Sequence, residues 1–127
     1  MLIVGLMFSV LPQVQDPGGN WTLRLRWDGT SPMEHFGQAV AGLADVDGDG
    51  LSDVLVGAEG VPVISWGEGA AYVYSGGTGQ LIHEFLGTQY AGHFGYSVTA
   101  LDDIDQYGIG DLAVGAWEYP GGAVYLY

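Results

Sequence analysis

The chain of 127 residues carries 23 glycines, no cysteine and only two basic side chains against 15 carboxylates, for a formal charge of −13. That balance excludes nucleic-acid phosphate and anionic membrane surfaces as natural partners, because counterion release needs clustered Lys and Arg; it favours cations or basic partners. The lack of cysteine excludes disulfides, zinc–thiolate sites, iron–sulfur clusters and thiol nucleophiles together.

The first 11 residues, MLIVGLMFSVL, are apolar. The run is too short to span a bilayer. No basic residue precedes it and no A-x-A site follows, so residues 1–11 read either as the core of a secretion signal or as a leading buried strand. Beyond them the chain repeats itself. Residues 35–58, HFGQAVAGLADVDGDGLSDVLVGA, and 93–116, HFGYSVTALDDIDQYGIGDLAVGA, are identical at 12 of 24 positions at an offset of 58. The register extends upstream, with Leu23 under Leu81, Trp27 under Phe85 and Gly29-Thr30 under Gly87-Thr88. Downstream, GAAYVY (69–74) matches GAVYLY (122–127) once the second copy drops five residues of loop. A tandem repeat on this scale decides the fold.

Within one unit the pattern is β throughout. Short β-branched and aromatic runs bounded by glycine predict strands over about 36–43, 53–58, 69–75 and 80–86. Four short strands per repeat are the arithmetic of a β-propeller blade, a small sheet that cannot bury both faces without neighbours. The expected fold is therefore all-β, with blades of four antiparallel strands in an incomplete propeller. Residues 12–28 read as the end of a preceding blade, 29–86 as a complete blade and 87–127 as a blade lacking its last strand. That makes about two and a half blades where a ring needs at least four, so the chain reads as part of a longer product whose neighbouring blades complete it.

The chemistry concentrates in residues 45–53, DVDGDGLSD. Carboxylates at positions 1, 3, 5 and 9 (Asp45, Asp47, Asp49, Asp53), a main-chain carbonyl at position 7 (Leu51) and glycine at position 6 (Gly50) are how a short loop wraps Ca²⁺ in oxygen. The loop has no basic residue to offset four like charges, and an all-oxygen donor set disfavours zinc, copper and nickel. Mg²⁺ prefers few protein ligands and several waters, which leaves Ca²⁺ as the fitting cation. The loop is no EF-hand, since its twelfth position is Val56 and strands flank it. The second copy, DIDQYGIGD, keeps Asp103, Asp105, Asp111, Gly108 and the carbonyl of Ile109, but Tyr107 replaces the carboxylate at position 5. Losing one carboxylate predicts a weaker site, or one completed by water.

Phe36-Gly37, the loop DVDGDGLSD and Gly57-Ala58, in that order, resemble the FG-GAP repeat, the blade unit of integrin α-subunit heads. Phe94-Gly95, DIDQYGIGD and Gly115-Ala116 resemble it again. The resemblance covers residues from about 20 to 127 and implies a seven-bladed propeller whose acidic loops join the first two strands of a blade and bind Ca²⁺. It departs from the family in two places. The proline that usually closes the GAP element is Glu59 in the first copy and Trp117 in the second, and position 5 of the second loop is Tyr107.

His35 and His93 occupy equivalent positions before Phe-Gly, which points to a structural role in the repeat. His83 aligns with Leu25 and reads as a strand residue on a semi-exposed face. No G-x-S-x-G motif accompanies the histidines, and SGGTG (75–79) lacks the Lys-Ser/Thr ending of a phosphate-binding loop. Trp27 aligns with Phe85 and reads as packing, whereas Trp66 and Trp117 fall in the loops of variable length. The favoured function is a non-catalytic, Ca²⁺-stabilised scaffold in a secreted or cell-surface protein, extracellular or periplasmic, that presents loops to a protein or glycan partner. The alternative is an accessory propeller segment of a secreted hydrolase, phospholipase-like or polysaccharide-cleaving, whose catalytic domain lies outside this chain. The reading frame on either side discriminates them: further repeats favour the scaffold, a catalytic motif the enzyme.

Overall fold

The structure, a computed structural model, describes residues 21, 23–117 and 121–127. The expected signal or leading strand and most of the preceding blade lie outside those residues. Residues 23–29 have no strand structure, and the chain makes a short 3-10 turn at Pro32–Glu34. The Ser31 side chain caps that turn by accepting from the Met33 amide, and Pro32 supplies a preset φ at its start.

Seven strands follow among the described residues: β1 (Ala39–Leu43), β2 (Asp53–Ala58), β3 (Ala70–Tyr74), β4 (Leu81–Leu86), β5 (Ser97–Ala100), β6 (Leu112–Ala116) and β7 (Ala123–Leu126). They form two antiparallel meanders, β1-β2-β3-β4 and β5-β6-β7. The first pairs Val40 with Val56, Leu55 with Val73 and Val73 with His83. The first predicted strand begins later than expected, at Ala39 rather than residue 36. His35 and Gly37 both take positive φ (52° and 83°), so Phe36-Gly37 is a tight turn leading into the strand.

Alternation along β2 and β3 divides the first sheet into two apolar faces. Leu43, Leu55, Ala71 and Val73 face one way and pack against Phe94, Leu112, Val114 and Ala116 of the second unit. Val56, Ala58, Ala70, Tyr72 and Tyr74 face the other way, under Trp27 and Phe36. The two sheets meet through unlike faces. Val114 and Ala116 occupy in the second repeat the places of Val56 and Ala58 in the first. The second sheet therefore offers its Val56-type face to the Leu55-type face of the first. Such head-to-tail contact repeats from unit to unit and closes as a ring when the rotation allows.

The aromatic packing repeats as well. Phe36 lies on Tyr72 and Tyr74 at 5.9 and 6.2 Å, and Phe94 on Tyr125 and Tyr127 at 5.1 and 6.5 Å. Trp27 stacks on Tyr74 at 5.2 Å and donates its indole N–H to the Gly79 carbonyl, as its alignment with Phe85 suggested. Burial, with Glu84 and Glu34 nearby, holds the Tyr74 phenol up at about 12. No helix among the described residues is long and apolar enough to cross a membrane.

Glycine decides how closely the units approach. Within each repeat the Phe-Gly amide donates to the carbonyl of the Gly-Ala glycine: Gly37 to Gly57 at 3.0 Å, Gly95 to Gly115 at 3.2 Å. Between repeats, the Gly95 carbonyl sits where a Cβ on Gly57 would meet it at 2.1 Å. Gly42, itself exposed on β1, has nothing within 4 Å of the equivalent point. Gly57→Ala is expected to cost at least about 1–3 kcal/mol as the junction is forced apart, and Gly42→Ala to be close to neutral. Urea denaturation of both variants checks this; equal effects would contradict the seat.

Candidate metal centre

The loop between β1 and β2 folds around its own carboxylates. The Asp45 side chain is the hub: its Oδ1 accepts the amides of Gly48 and Asp49 at 2.7 and 3.1 Å, and its Oδ2 that of Gly50 at 2.7 Å. The Gly50 amide foremost, with those of Gly48 and Asp49, lowers the Asp45 carboxyl below its ordinary value. Its contribution to stability is thus present at neutral pH and lost as pH falls through that lowered range. Positive φ at Gly48 (81°) and Gly50 (86°) turns the chain so that alternate side chains converge. Asp47 and Asp49 complete the group, and one carboxylate oxygen from each of the three lies within 4.8 Å of the others. Leu51, expected to offer its carbonyl, is exposed.

Asp53 behaves differently from its three partners. It is 1 % exposed at the start of β2. Its Oδ2 accepts the Val46 amide at 2.7 Å and its Oδ1 the Gly76 amide at 3.0 Å. It thereby ties the acidic loop to the β3–β4 turn, and it stands outside the close carboxylate group. The same turn adds contacts that the loop spacing alone did not disclose. The Ser75 hydroxyl donates to Asp49 Oδ2 at 3.3 Å, and a Cβ on Gly77 would meet that oxygen at 2.0 Å. The signal for this turn was the glycine pair Gly76-Gly77, which recurs upstream as Gly18-Gly19.

The loop between β5 and β6 repeats the plan with one change. Gly108 donates to Asp103 at 2.8 Å, Tyr107 to Asp105 at 3.1 Å and Ile104 to Asp111 at 2.7 Å. Here the converging group is Asp103, Asp105 and Asp111, all within 4.8 Å. Tyr107 points to solvent at 89 % exposure and leaves position 5 without a carboxylate. Ile109 is exposed as well.

These two loops lie in repeats whose elements come in the order Phe-Gly turn, acidic loop, Gly-Ala strand end. A profile described as the FG-GAP repeat matches residues 36–79. The chain thus carries an FG-GAP repeat. It is 34% identical over 126 residues to integrin alpha pat-2 of Caenorhabditis elegans, covering 93% of this chain and 10% of that protein. It is 43% identical over 100 residues to integrin alpha-4 of Xenopus laevis, covering 73% and 10%. Against integrin alpha-3 of Cricetulus griseus it is 35% identical over 129 residues, covering 95% and 12%. The chain thus spans about a tenth of the length of these relatives. Its two open antiparallel sheets are those of a partial FG-GAP propeller.

The geometry separates two roles within the first FG-GAP loop. Asp53→Ala leaves the Val46 and Gly76 amides unpaired and should cost about 1–3 kcal/mol even in excess chelator. Asp49→Ala, at the exposed end, should change chelator-treated stability by about 0.5 kcal/mol or less. Denaturant melts in EDTA are the check, and a larger loss for Asp49→Ala would reverse the assignment.

Proposed function

We propose that this chain is a Ca²⁺-stabilised, non-catalytic segment of an FG-GAP propeller in a secreted or cell-surface protein, where its loops serve adhesion or another macromolecular interaction. The observation that carries the reading is the convergence of Asp45, Asp47 and Asp49 within 4.8 Å in a loop that contains no basic residue. Like charges held this close repel, and a divalent cation relieves the repulsion. The donor set fits the ion: carboxylate and carbonyl oxygen only, on a glycine-turned loop, with no imidazole or thiolate.

Asp45, Asp47, Asp49, the carbonyl of Leu51 and Asp53 would hold the ion in the first repeat. Asp53 can take part while still accepting its two amides, since each carboxylate oxygen has a second lone pair. Asp103, Asp105, the carbonyl of Ile109 and Asp111 would hold a second, weaker ion. Bound metal supplies charge balance and cross-links the loop; binding to the folded loop adds directly to folding free energy. On this reading residues 29–86 are one complete blade and 87–127 the first three strands of the next, continued by neighbouring blades. The partner is a protein or glycan, and the setting extracellular, by kinship with integrin α chains. The relatives named above lend no support to the alternative of a segment attached to a secreted hydrolase.

Calorimetric titration with Ca²⁺ tests the proposal. The wild type should bind with heat, Asp49→Ala should lose at least tenfold in affinity at the first site, and Tyr107→Asp should strengthen the second. Equal heats in wild type and Asp49→Ala, or none in either, would refute the metal reading.

A further inference from the structure

Glu59 stands where the repeat family has proline, at the head of the β2–β3 loop, and is only 7 % exposed. Its carboxylate faces two imidazoles, one from each repeat. Oε1 lies 2.8 Å from Nδ1 of His35, and Oε2 is hydrogen-bonded to Nδ1 of His93. An ionised carboxylate only accepts, so Nδ1 of both rings carries the hydrogen and donates it. Both histidines are placed by the same device: left-handed backbone at φ 52° and 50°, with carbonyls closing turns onto the amides of Gln38 and Tyr96 at 3.1 Å each. His93 is further fixed to the first repeat, its amide donating to the Gly67 carbonyl at 2.9 Å, while its ring lies 5.8 Å from that of Trp117.

Among the described residues, the other acidic groups on the elements packed here are already engaged. Glu34, next to His35, is turned onto the Thr30 amide and hydroxyl. Glu68, whose carbonyl accepts the Phe94 amide, has its carboxylate held at about 2 by the Ser65 hydroxyl and the amides of Val63 and Ser65. Glu59 is left to the two rings.

We propose that His35, Glu59 and His93 form a clasp between consecutive repeats that mild acidification tightens. With both rings neutral the triad carries one negative charge and is held by hydrogen bonds alone. A proton added at Nε2 of either ring turns one of those bonds into an ion pair with a nearly buried carboxylate, which is stronger than its neutral counterpart. A proton taken up by either imidazole therefore strengthens the clasp, and one taken up by Glu59 removes it. This inference is independent of the metal reading, because none of the three residues belongs to either acidic loop.

The test is thermal unfolding of the full chain at constant Ca²⁺, wild type against Glu59→Gln. Glutamine keeps an acceptor and a donor of the same shape but removes the charge. At pH 6 the wild type should melt about 4–8 °C above the variant, and at pH 8 the gap should fall to half or less. An equal gap at both pH values would show a packing role only and overturn the proposal. Should Glu59→Gln fail to fold, nitrogen-15 spectra of the wild-type imidazoles decide at pH 8. Both His35 and His93 should show the Nδ1–H tautomer; the Nε2–H tautomer at both would overturn the clasp.

Discussion

The close approach of backbone to backbone at the Phe-Gly turn is the constraint from which the rest of the structure follows. Phe94-Gly95 is laid against the first repeat where side chains are absent or minimal. A Cβ on Gly57, Gly69 or Gly87 would lie 2.0–2.1 Å from a backbone oxygen in this region, that of Gly95, Phe94 or Glu68 respectively. The Phe94 amide donates to the Glu68 carbonyl at 3.0 Å, and its ring, 2 % exposed, enters the core between the sheets. Phe supplies the apolar contact, glycine the turn at φ 90°, and the Gly-Ala pair of the preceding unit the space to receive both. This explains why the motif elements travel together: each is half of a contact whose other half lies one strand or one repeat away.

With the junction set by backbone, the acidic loops are free to carry charge at the opposite ends of β1 and β2, and of β5 and β6, from the Phe-Gly turns. Asp53 and Asp111 are buried and hold their loops to the strand starts through the Val46 and Ile104 amides at 2.7 Å each. Asp45, Asp47 and Asp49 gather their charge at the first loop, and Asp103 and Asp105 gather theirs beside Asp111 at the second. One end of each sheet is thus fixed by glycine and apolar packing and the other by carboxylate chemistry. The Glu59 clasp adds a charged contact at the glycine end.

Most of this was legible in the sequence because the repeat displays it twice. The offset of 58 located β1 and β2, their counterparts β5 and β6, and both acidic loops, and the five-residue deletion located β7 relative to β3. What was not legible depended on φ or on contacts between distant segments. Residues 36–38 run without a break into the strand that follows, but positive φ at His35 and Gly37 makes them a turn. The Pro32–Glu34 turn is too short to leave a helical period. Asp53 shares its residue type with Asp45, Asp47 and Asp49, and only its burial reveals a structural role. The partnership of Glu59 with two histidines spans 24 and 34 residues and could be suspected only from the histidine repeated before Phe-Gly and a carboxylate in place of proline.

The central claim is that the Phe-Gly turn of one repeat, seated on the glycines of the one before, makes the two sheets a single cooperative unit. Native-state hydrogen exchange of the full chain in excess Ca²⁺ measures this directly. The amides of Leu55 in β2, Phe94 at the junction and Val114 in β6 should exchange with a common opening free energy. A Phe94 amide that exchanges as fast as the exposed loops, while Leu55 and Val114 stay protected at separate levels, would contradict the account.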